Sequence, residues 1–442
     1  MNKIPFWIRV RAAIIAGALL VNSVTGHFAR AEDMPGRTPA SSEVPAGQAT
    51  GQIEALVSEA IDNSPAIIAA RKHYQAAAKV PSQVSTMPDP EISLQQLTVG
   101  GPKPFEGYET SDFYYTGFGV MQEIPWPGKL KLRAGEASHE ADSAQKSFIA
   151  ARRDVAEKVR EDCFELFYLA KRLQLLAQTR DQLSGIERIT EEQYRVGKSQ
   201  QQDVIKSQLE TTSILKEVEL TRAEIGQREA DLKSLLGRGL DSANIQVGEV
   251  APSRFPIDRA RLGELAAGES ADIQMALHDE MKSEDSLQLA RTDYVPDFSV
   301  GYMYQKTGPG MRDYYMLTLG AKIPLYFWRK QKPAVEQAAL EREAAKDRVR
   351  ASRLDVAAEM ERDWITVRTQ ERIIDLYRDG LIPQARATFD SAMAAYRTAR
   401  IDFQTLLSAT VDVLNLNEQY YRAIADHEIA VARIRRIIGE AS

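Results

Sequence analysis

The sequence is poor in features that would each identify a familiar class of protein. It holds a single cysteine, Cys163, which excludes an internal disulfide and a zinc site built on several cysteines. Past residue 31 no apolar run approaches the roughly 20 residues that a membrane-spanning helix needs. A positive charge excess is also missing, because the net charge of −6 over 442 residues argues against binding to nucleic acid. With 44% hydrophobic and 27% charged residues, the chain is not a disordered polymer.

The N-terminus has the three parts of a secretory signal peptide. Lys3, Arg9 and Arg11 precede an apolar run at 12–21, and residues 29–31 read Ala-Arg-Ala, a small-residue cleavage site. We therefore predict a signal peptide at 1–31, with an N-terminal membrane anchor as the alternative. Residues 32–51 are rich in Pro, Gly, Ser and Thr and are predicted to be a flexible segment. The leader holds four basic residues and no acid, so the remainder carries −10.

From residue 52 the sequence is predicted to contain one structural unit twice. Four dipeptides recur in the same order at offsets between 199 and 208: Pro88-Asp89 with Pro296-Asp297, Tyr114-Tyr115 with Tyr314-Tyr315, Ile124-Pro125 with Ile323-Pro324, and Tyr194-Arg195 with Tyr396-Arg397. The first repeat is placed at 52–240, a linker at 241–261 and the second repeat at 262–442. Each repeat is predicted to hold a helix, a β-hairpin, a very long helix and a returning helix.

The helical parts show heptad spacing. In 204–236, apolar or small residues recur every seven positions (Val204, Thr211, Val218, Ile225 and Leu232), with Leu215 and Leu236 on the companion position. We predict helices at 52–86, 129–195 and 200–236 in the first repeat, and long helices at 333–397 and 401–438 in the second. A helix of about 65 residues would be roughly 100 Å long, too long for a globular domain. An ordinary coiled-coil rod explains these helices equally well.

The predicted strands carry nearly half of the aromatic residues. Sixteen of 33 fall in 104–126 and 294–328, and four strands are predicted at 90–99, 113–123, 297–305 and 314–323, forming hairpins over 90–123 and 297–323. Phe298, Val300 and Tyr302 share one face, while small or polar residues share the other. Short segments of this kind are typical of transmembrane β-barrels. A soluble sheet with one buried face shows the same alternation.

The number of strands constrains the membrane interpretation. Four strands cannot close a barrel, and unpaired strand edges are not tolerated in hydrocarbon. If the strands span a membrane, several chains must therefore share one barrel, and three chains would give twelve strands and a lumen. Trp126, Tyr326, Phe327 and Trp328 lie just past strand ends, where amphipathic rings favour the membrane–water interface.

Together these features resemble the TolC-type outer-membrane efflux proteins. The resemblance covers 52–438 and is most specific at 87–94 (MPDPEISL), 122–133 (QEIPWPGKLKLR) and 194–204 (YRVGKSQQQDV). It implies a mainly α protein with a small β part: an internally duplicated outer-membrane efflux duct with a long α-helical barrel and four transmembrane β-strands per protomer, a 12-stranded barrel in the homotrimer. The first two of these segments also resemble the heavy-metal efflux branch of the family.

The resemblance places a periplasmic aperture and adaptor-docking site at the turns that follow the long helices. In the first turn these residues are Tyr194, Arg195, Gly197, Lys198 and Asp203, and in the second they are Tyr396, Arg397 and Asp402. The second turn departs from the family, because Ala399 stands at the glycine position and Thr405 and Ser408 at aspartate positions. Asp203 could form an acidic ring at a constriction. It could equally cap the returning helix.

Catalytic motifs are incomplete. Gly197-Lys198-Ser199 lacks the first glycine of a phosphate-binding loop, and neither His139-Glu140 nor His427-Glu428 has the second histidine of a zinc-protease motif. His73, His139, His278 and His427 are predicted to lie scattered on solvated helix faces, and Cys163 is predicted to be a buried thiol. We therefore predict no enzyme, no metal site and no cofactor.

The predicted function is a passive exit duct in the outer membrane of a Gram-negative cell, with a long periplasmic domain. The resemblance implies three partners: a periplasmic adaptor (membrane fusion protein), an inner-membrane transporter of the RND or ABC type, and outer-membrane lipid; no nucleic acid is expected. The alternative is a periplasmic adaptor or scaffold with long coiled-coil hairpins. The exported substrate stays open.

Overall fold

The computed structural model of the chain describes residues 46–97, 115–308 and 310–439. The elements of the first repeat are α1 (Ala46–Asn63), α2 (Pro65–Ala77), α3 (Val80–Val84), β1 (Glu91–Leu97), β2 (Tyr115–Ile124), α4 (Lys129–Arg195) and α5 (Gln201–Leu235). Those of the second are α6 (Arg259–Glu269), α7 (Ala271–Thr292), β3 (Asp297–Thr307), β4 (Tyr314–Lys322), α8 (Gln331–Leu376), a π-helical turn (Tyr377–Leu381), α9 (Ile382–Arg397) and α10 (Phe403–Ile438).

The long helix of the first repeat has the predicted bounds, 129–195, and both returning helices lie within two residues of theirs. All four strands also occur within two residues of the predicted positions. The first helix begins at Ala46, inside the segment that was predicted to be flexible to residue 51. The predicted signal peptide and the first hairpin loop (100–112) lie outside the described residues. The sheet also excludes a simple coiled-coil rod.

The prediction of one helix over 52–86 is wrong, because proline breaks it twice. Pro65 begins α2 and Pro81 lies in the first turn of α3, where a missing N–H costs no hydrogen bond. Before Pro65, the buried Ser64 takes the extended conformation (φ −61°, ψ 124°). The second repeat has the same extended serine, the buried Ser270 (φ −61°, ψ 123°), between α6 and α7, although Ala271 and not proline follows it. The two repeats therefore share this bend.

The long helix of the second repeat, predicted at 333–397, is also interrupted. A π-helical turn at Tyr377–Leu381 separates α8 from α9. Pro383 lies in the first turn of α9, and inside a helix its ring would clash with the carbonyl of residue 379 and leave one backbone acceptor unpaired. A single wider turn accommodates such a residue without ending the helix. The helix therefore continues to Arg397.

The four strands form one antiparallel sheet in the order β1-β2-β3-β4. Its register places apolar side chains opposite one another on a single face: Leu94 opposite Phe118, Val120 opposite Tyr302, and Tyr302 opposite Leu317. The other face, called the polar face below, carries all the glycines of the strands and both serines, together with three methionines and two tyrosines: Met121, Met303, Met316, Tyr115 and Tyr314. The alternation predicted for β3 and β4 is therefore confirmed, and the apolar face continues across β2 and β1.

The apolar face of this sheet is uncovered by any residue that the structure describes. Ile92 is 67% exposed, Leu317 66% and Leu319 73%. A soluble sheet with one buried face would pack these side chains against helices, so that alternative does not fit. Among the described residues, β1 and β4 each pair on one side only.

The helices have their own core, to which the strands contribute nothing among the described residues. One apolar cluster joins α1 and α2 to α4 and α5 through Val57, Ile67, Val159 and Leu232. Further clusters lie near the turns after the long helices and within the second repeat. The heptad prediction is confirmed at Val218 and Leu232 but not at Leu215, which is exposed. No described helix is apolar over a length that could cross a bilayer.

Cys163 lies inside the first cluster and is 0% exposed, as predicted. Burial raises the pKa of its thiol to about 12, and the nearby carboxylates of Asp162 and Glu54 act in the same direction. The thiol is therefore protonated at neutral pH and inert as a nucleophile.

An ion-pair cluster joins the sheet to the helices. Lys129, at the start of α4, is buried, and its Nζ lies 3.1 Å from Asp293 Oδ1 and 3.0 Å from Asp297 Oδ1. The Asp297 carboxylate also accepts the backbone N–H of Trp126 at 2.8 Å. Asp297 begins β3 and Asp293 follows α7, both in the second repeat. These contacts therefore join the first repeat to the second at the boundary between helices and sheet.

Candidate functional site

The first turn is built on a glycine in the left-handed conformation. Gly197 has φ +75°, its N–H donates to the Tyr194 carbonyl at 3.0 Å, and the N–H of Lys198 donates to the Gln193 carbonyl at 2.8 Å. This pair of bonds is the Schellman motif, which satisfies the last free carbonyls of a helix. The turn thereby ends α4 and reverses the chain into α5.

The second turn has the same hydrogen bonds without the glycine. The Ala399 N–H donates to the Tyr396 carbonyl at 2.9 Å, and the Arg400 N–H to the Ala395 carbonyl at 3.0 Å. Ala399 takes φ +55° and is the one non-glycine residue with positive φ among those described. The left-handed conformation costs an L-residue about 1–2 kcal/mol. The turn geometry is therefore retained, with local strain, at a constant offset of 202.

Asp203 and Asp402 each cap the helix that follows its turn, but Asp203 does so from the third helical position and Asp402 from the N-cap position. Asp203, at the third position of α5, accepts from the Gln200 N–H at 3.2 Å and from the Ser199 hydroxyl at 3.0 Å. Asp402, the N-cap of α10, accepts from the Thr405 N–H at 2.9 Å. The repeat offset aligns Gln200 with Asp402 and Asp203 with Thr405.

These bonds support the capping alternative for Asp203. Hydrogen bonds from the hydroxyl and the N–H of Thr405 lower the pKa of Asp402. The contribution of Asp203 to an acidic ring at an aperture stays a prediction.

Tyr396 joins the two helical hairpins. Its hydroxyl lies 2.8 Å from Thr190 Oγ1 on α4, and its carbonyl accepts from Gln193 Nε2 at 2.9 Å. The Thr190 hydroxyl donates to the Ile186 carbonyl, so Tyr396 is the donor in the hydroxyl pair. Burial raises the pKa of the Tyr396 phenol. Thr190 and Gln193 were not identified from the sequence, since nothing local marks their contact with a residue about 200 positions away.

The corresponding tyrosine of the first turn has no such partner among the described residues. Tyr194 is 45% exposed, whereas Tyr396 is 2% exposed. The repeat offset aligns Thr190 with Ala392, which carries no hydroxyl. The two sequence-equivalent tyrosines are therefore chemically different in one chain.

The tips of both turns are basic. Arg195 and Lys198 on the first turn, and Arg397 and Arg400 on the second, are all exposed. None of the four forms an ion pair with a residue that the structure describes. Three of them were predicted site residues, and Arg400 adds a fourth that the repeat offset from Lys198 could have revealed.

The predicted interface aromatics lie at the boundary between sheet and helices. Tyr326, Phe327 and Trp328 follow β4, are each at least half exposed, and contact one another, with Phe327 and Trp328 centroids 5.2 Å apart. Trp126 is partly buried beside Phe298, at a centroid distance of 5.9 Å. Their role at a membrane–water interface stays a prediction.

The predicted scattering of histidines on solvated faces is correct for His73 only. His427 is fully buried, and His139 on α4 lies beside His278 on α7, with ring centroids 6.3 Å apart. The absence of a metal site stays a prediction, and His139, His278 and Asp142 lie close enough together to hold a metal ion. Sequence reasoning missed this group because its members come from different repeats. His139 and Asp142 do stand one helical turn apart, which is a usable signal.

Comparison with known proteins gives a family match and a fold match. The family model "outer membrane efflux protein" matches residues 56–238 and 262–440, one segment in each repeat. The chain is similar to the outer-membrane channel OprN, with a TM-score of 0.76 and 15% identity over 90% of this chain and 93% of that one. It is also similar to VceC from Vibrio cholerae, with a TM-score of 0.76 and 16% identity over 88% and 96%. A third similar structure, the CmeC channel of Campylobacter jejuni, has a TM-score of 0.75 and 16% identity over 88% and 85%. A search of curated proteins found no significant match.

Proposed function

The chain belongs to the outer membrane efflux protein family, and from this premise we propose that three copies form one passive exit duct, whose sheets close a common barrel in the outer membrane. As a family member the protein is an outer-membrane efflux channel rather than a periplasmic adaptor. The trimer, the shared barrel and the partners of the helical end are the proposal.

The observation that carries the proposal is the uncovered apolar face of the sheet. Hydrocarbon is the environment in which such a face is stable without a covering layer. The sheet also has two free edges, and each unpaired backbone group would cost several kcal/mol in a bilayer. Since β1 and β4 are the outer strands of this four-stranded sheet and run antiparallel to each other, β4 of one copy can pair with β1 of the next.

Head-to-tail pairing of this kind closes into a ring when the rotation between copies fits. Three copies give twelve strands, which leave a lumen lined by the glycine-rich and polar face. Below the sheet, α4 and the interrupted helix α8–α9 run from the strands to the two turns. A ring of three chains would arrange these helices as a tube.

The four basic tips fit the docking of a periplasmic adaptor. They lie at the far end of the long helices, and they are exposed, so a partner with acidic or polar groups would be attracted to them. We expect Lys198→Glu combined with Arg400→Glu to abolish co-purification of the adaptor while the trimer persists. Arg372→Glu, an exposed charge reversal within α8, is the matched control. Retention of the adaptor by the double variant would exclude docking through these charges.

The membrane proposal is tested by placing one charge on each face of the same strand. Leu317 lies near the middle of β4 on the apolar face, and its neighbour Thr318 lies on the polar face. Arginine on a lipid-facing position near the midplane costs about 2–4 kcal/mol, whereas a lumen position tolerates it. We expect Leu317→Arg to prevent outer-membrane insertion and trimer formation, and Thr318→Arg to retain both.

Fractionation of membranes and chemical cross-linking of the solubilised protein measure these two properties. An equal effect of the two substitutions would contradict the assignment of faces. A wild-type chain that stays monomeric in water without detergent would overturn the shared barrel altogether.

A further inference from the structure

Two histidines and two aspartates meet between α4 and α7. One nitrogen from each of His139 and His278 and one carboxylate oxygen of Asp142 lie within 4.8 Å of one another. Asp285 Oδ2 lies 3.7 Å from His139 Nε2, and Asp142 Oδ2 lies 3.9 Å from His278 Nδ1. The group lies about 15 Å along α4 from its first residue, at 1.5 Å per residue.

Each of the two histidine rings has one nitrogen that is free to bind a ligand. The Nδ1 atoms of both His139 and His278 are buried, and neither has a hydrogen-bond partner among the described residues. Buried nitrogens of this kind normally find a partner. An unpaired imidazole nitrogen is also the atom by which histidine binds a metal ion.

The negative charge beside the rings has no fixed counter-ion. Neither Asp142 nor Asp285 forms an ion pair with a described lysine or arginine, since Lys282 pairs instead with Glu140. The space for Asp285 depends on Gly135, because a Cβ at that position would collide with the Asp285 carboxylate. The glycine that interrupts the sequence of the long helix α4 therefore makes room for this carboxylate.

From this arrangement we propose that His139, His278 and Asp142 form a binding site for a divalent transition-metal ion of the Zn²⁺ type, which links the first repeat to the second below the sheet. Two imidazole nitrogens and one carboxylate oxygen are a donor set that suits Zn²⁺ and leaves a fourth position for water. Asp285 is a positioning residue, because it faces the second nitrogen of His139 and would accept its proton-bearing N–H.

The three ligand atoms, which lie within 4.8 Å of one another, must come closer together to bind an ion. Ligand atoms around tetrahedral Zn²⁺ lie about 3.4 Å apart, given Zn–N bonds of roughly 2.0–2.1 Å. The side chains of His139, His278, Asp142 and Asp285 are partly exposed. An ion can therefore reach these side chains from solvent.

The site is tested by titrating Zn²⁺ into the untagged, full-length protein in detergent after removal of bound metal with a chelator. We expect one Zn²⁺ per chain by calorimetry, and a rise in the midpoint of thermal unfolding that EDTA reverses. His139→Gln and His278→Gln should each weaken binding by at least about 100-fold, and Asp285→Asn by about tenfold. His73→Gln, an exposed histidine on α2, is the matched control and should bind as the wild type does.

The outcome is decisive in either direction. If the wild type takes up no Zn²⁺, or if His139→Gln and His278→Gln bind it as tightly as the wild type, the site does not exist. A cooperative unfolding transition in EDTA shows that each variant is folded, so that a loss of Zn²⁺ binding is not a loss of fold. The result is independent of barrel assembly, since both helices lie outside the strands.

Discussion

The strained Ala399 allows a reciprocal test of the two turns. Changing Ala399 to glycine removes the cost of a left-handed L-residue, about 1–2 kcal/mol, and returns part of it because glycine loses 0.4–1 kcal/mol more on ordering. The net expectation is a turn that is more stable by about 0.5–1 kcal/mol. Changing Gly197 to alanine reverses the effect. A Cβ at Gly197 would meet nothing within 4 Å, so the predicted loss is conformational and contains no clash.

Hydrogen exchange of the turn amides measures this effect locally. The N–H groups of Ala399 and Arg400 donate to the end of α9, and those of Gly197 and Lys198 to the end of α4. A change of 0.5–1 kcal/mol alters the opening equilibrium about two- to fivefold. Exchange should therefore slow in Ala399→Gly and accelerate in Gly197→Ala.

The matched control is Ala394→Gly, the same chemical change at an exposed position inside α9. There glycine should destabilise the helix by roughly 0.5–1 kcal/mol. The reasoning is refuted if Ala399→Gly and Ala394→Gly shift exchange in the same direction, because the sign depends only on the backbone conformation of each alanine.

Two further predictions concern buried polar groups. Tyr396→Phe should weaken the contact between the hairpins by about 1 kcal/mol and no more, because Thr190 keeps its bond to the Ile186 carbonyl and no buried donor is left unpaired. Faster proteolysis at the second turn would report this loss. A variant of unchanged stability would show that the hydroxyl pair contributes nothing. Burial raises the pKa of Asp162 from 3.8 to about 6. The folded state therefore binds this proton more tightly than the unfolded state does. The free energy of unfolding should fall as the pH rises from about 4 to 6 and stay low above about pH 6. Asp162→Asn should therefore stabilise the helices at pH 7.5 by about 1–3 kcal/mol and flatten the pH profile of the unfolding midpoint, whereas Asp347→Asn, at an exposed site, should leave the profile unchanged.

The long helix of the first repeat could be predicted to the residue because nothing in 129–195 interrupts its periodicity except glycines that a helix tolerates. The π-helical turn was missed because Pro383 signals only that a helix is disturbed, not whether it ends or widens. The fourth basic tip residue, Arg400, and the cap formed by Asp402 follow from the offset of 202 once Ala399 is known to adopt the glycine conformation. That conformation is a tertiary outcome, since alanine by itself disfavours it.

The contact between the two histidines could not be predicted in the same way. His139 and His278 belong to different repeats and are not equivalent within the duplication, so the repeat offset does not relate them. Their meeting depends on how α7 packs against α4. Only the spacing between His139 and Asp142, one helical turn apart, could be recognised in the sequence.

The separation of the helical core from the sheet sets an order of events in biogenesis. Since the described apolar clusters draw only on helices and their connecting segments, the helical body can mature in the aqueous periplasm as a single chain. The strands cannot mature there, because no residue that the structure describes covers their apolar face. In the trimer proposed above, membrane insertion and closure of the shared barrel must therefore be one late event, and an unassembled chain would need a chaperone that shields its β-strands.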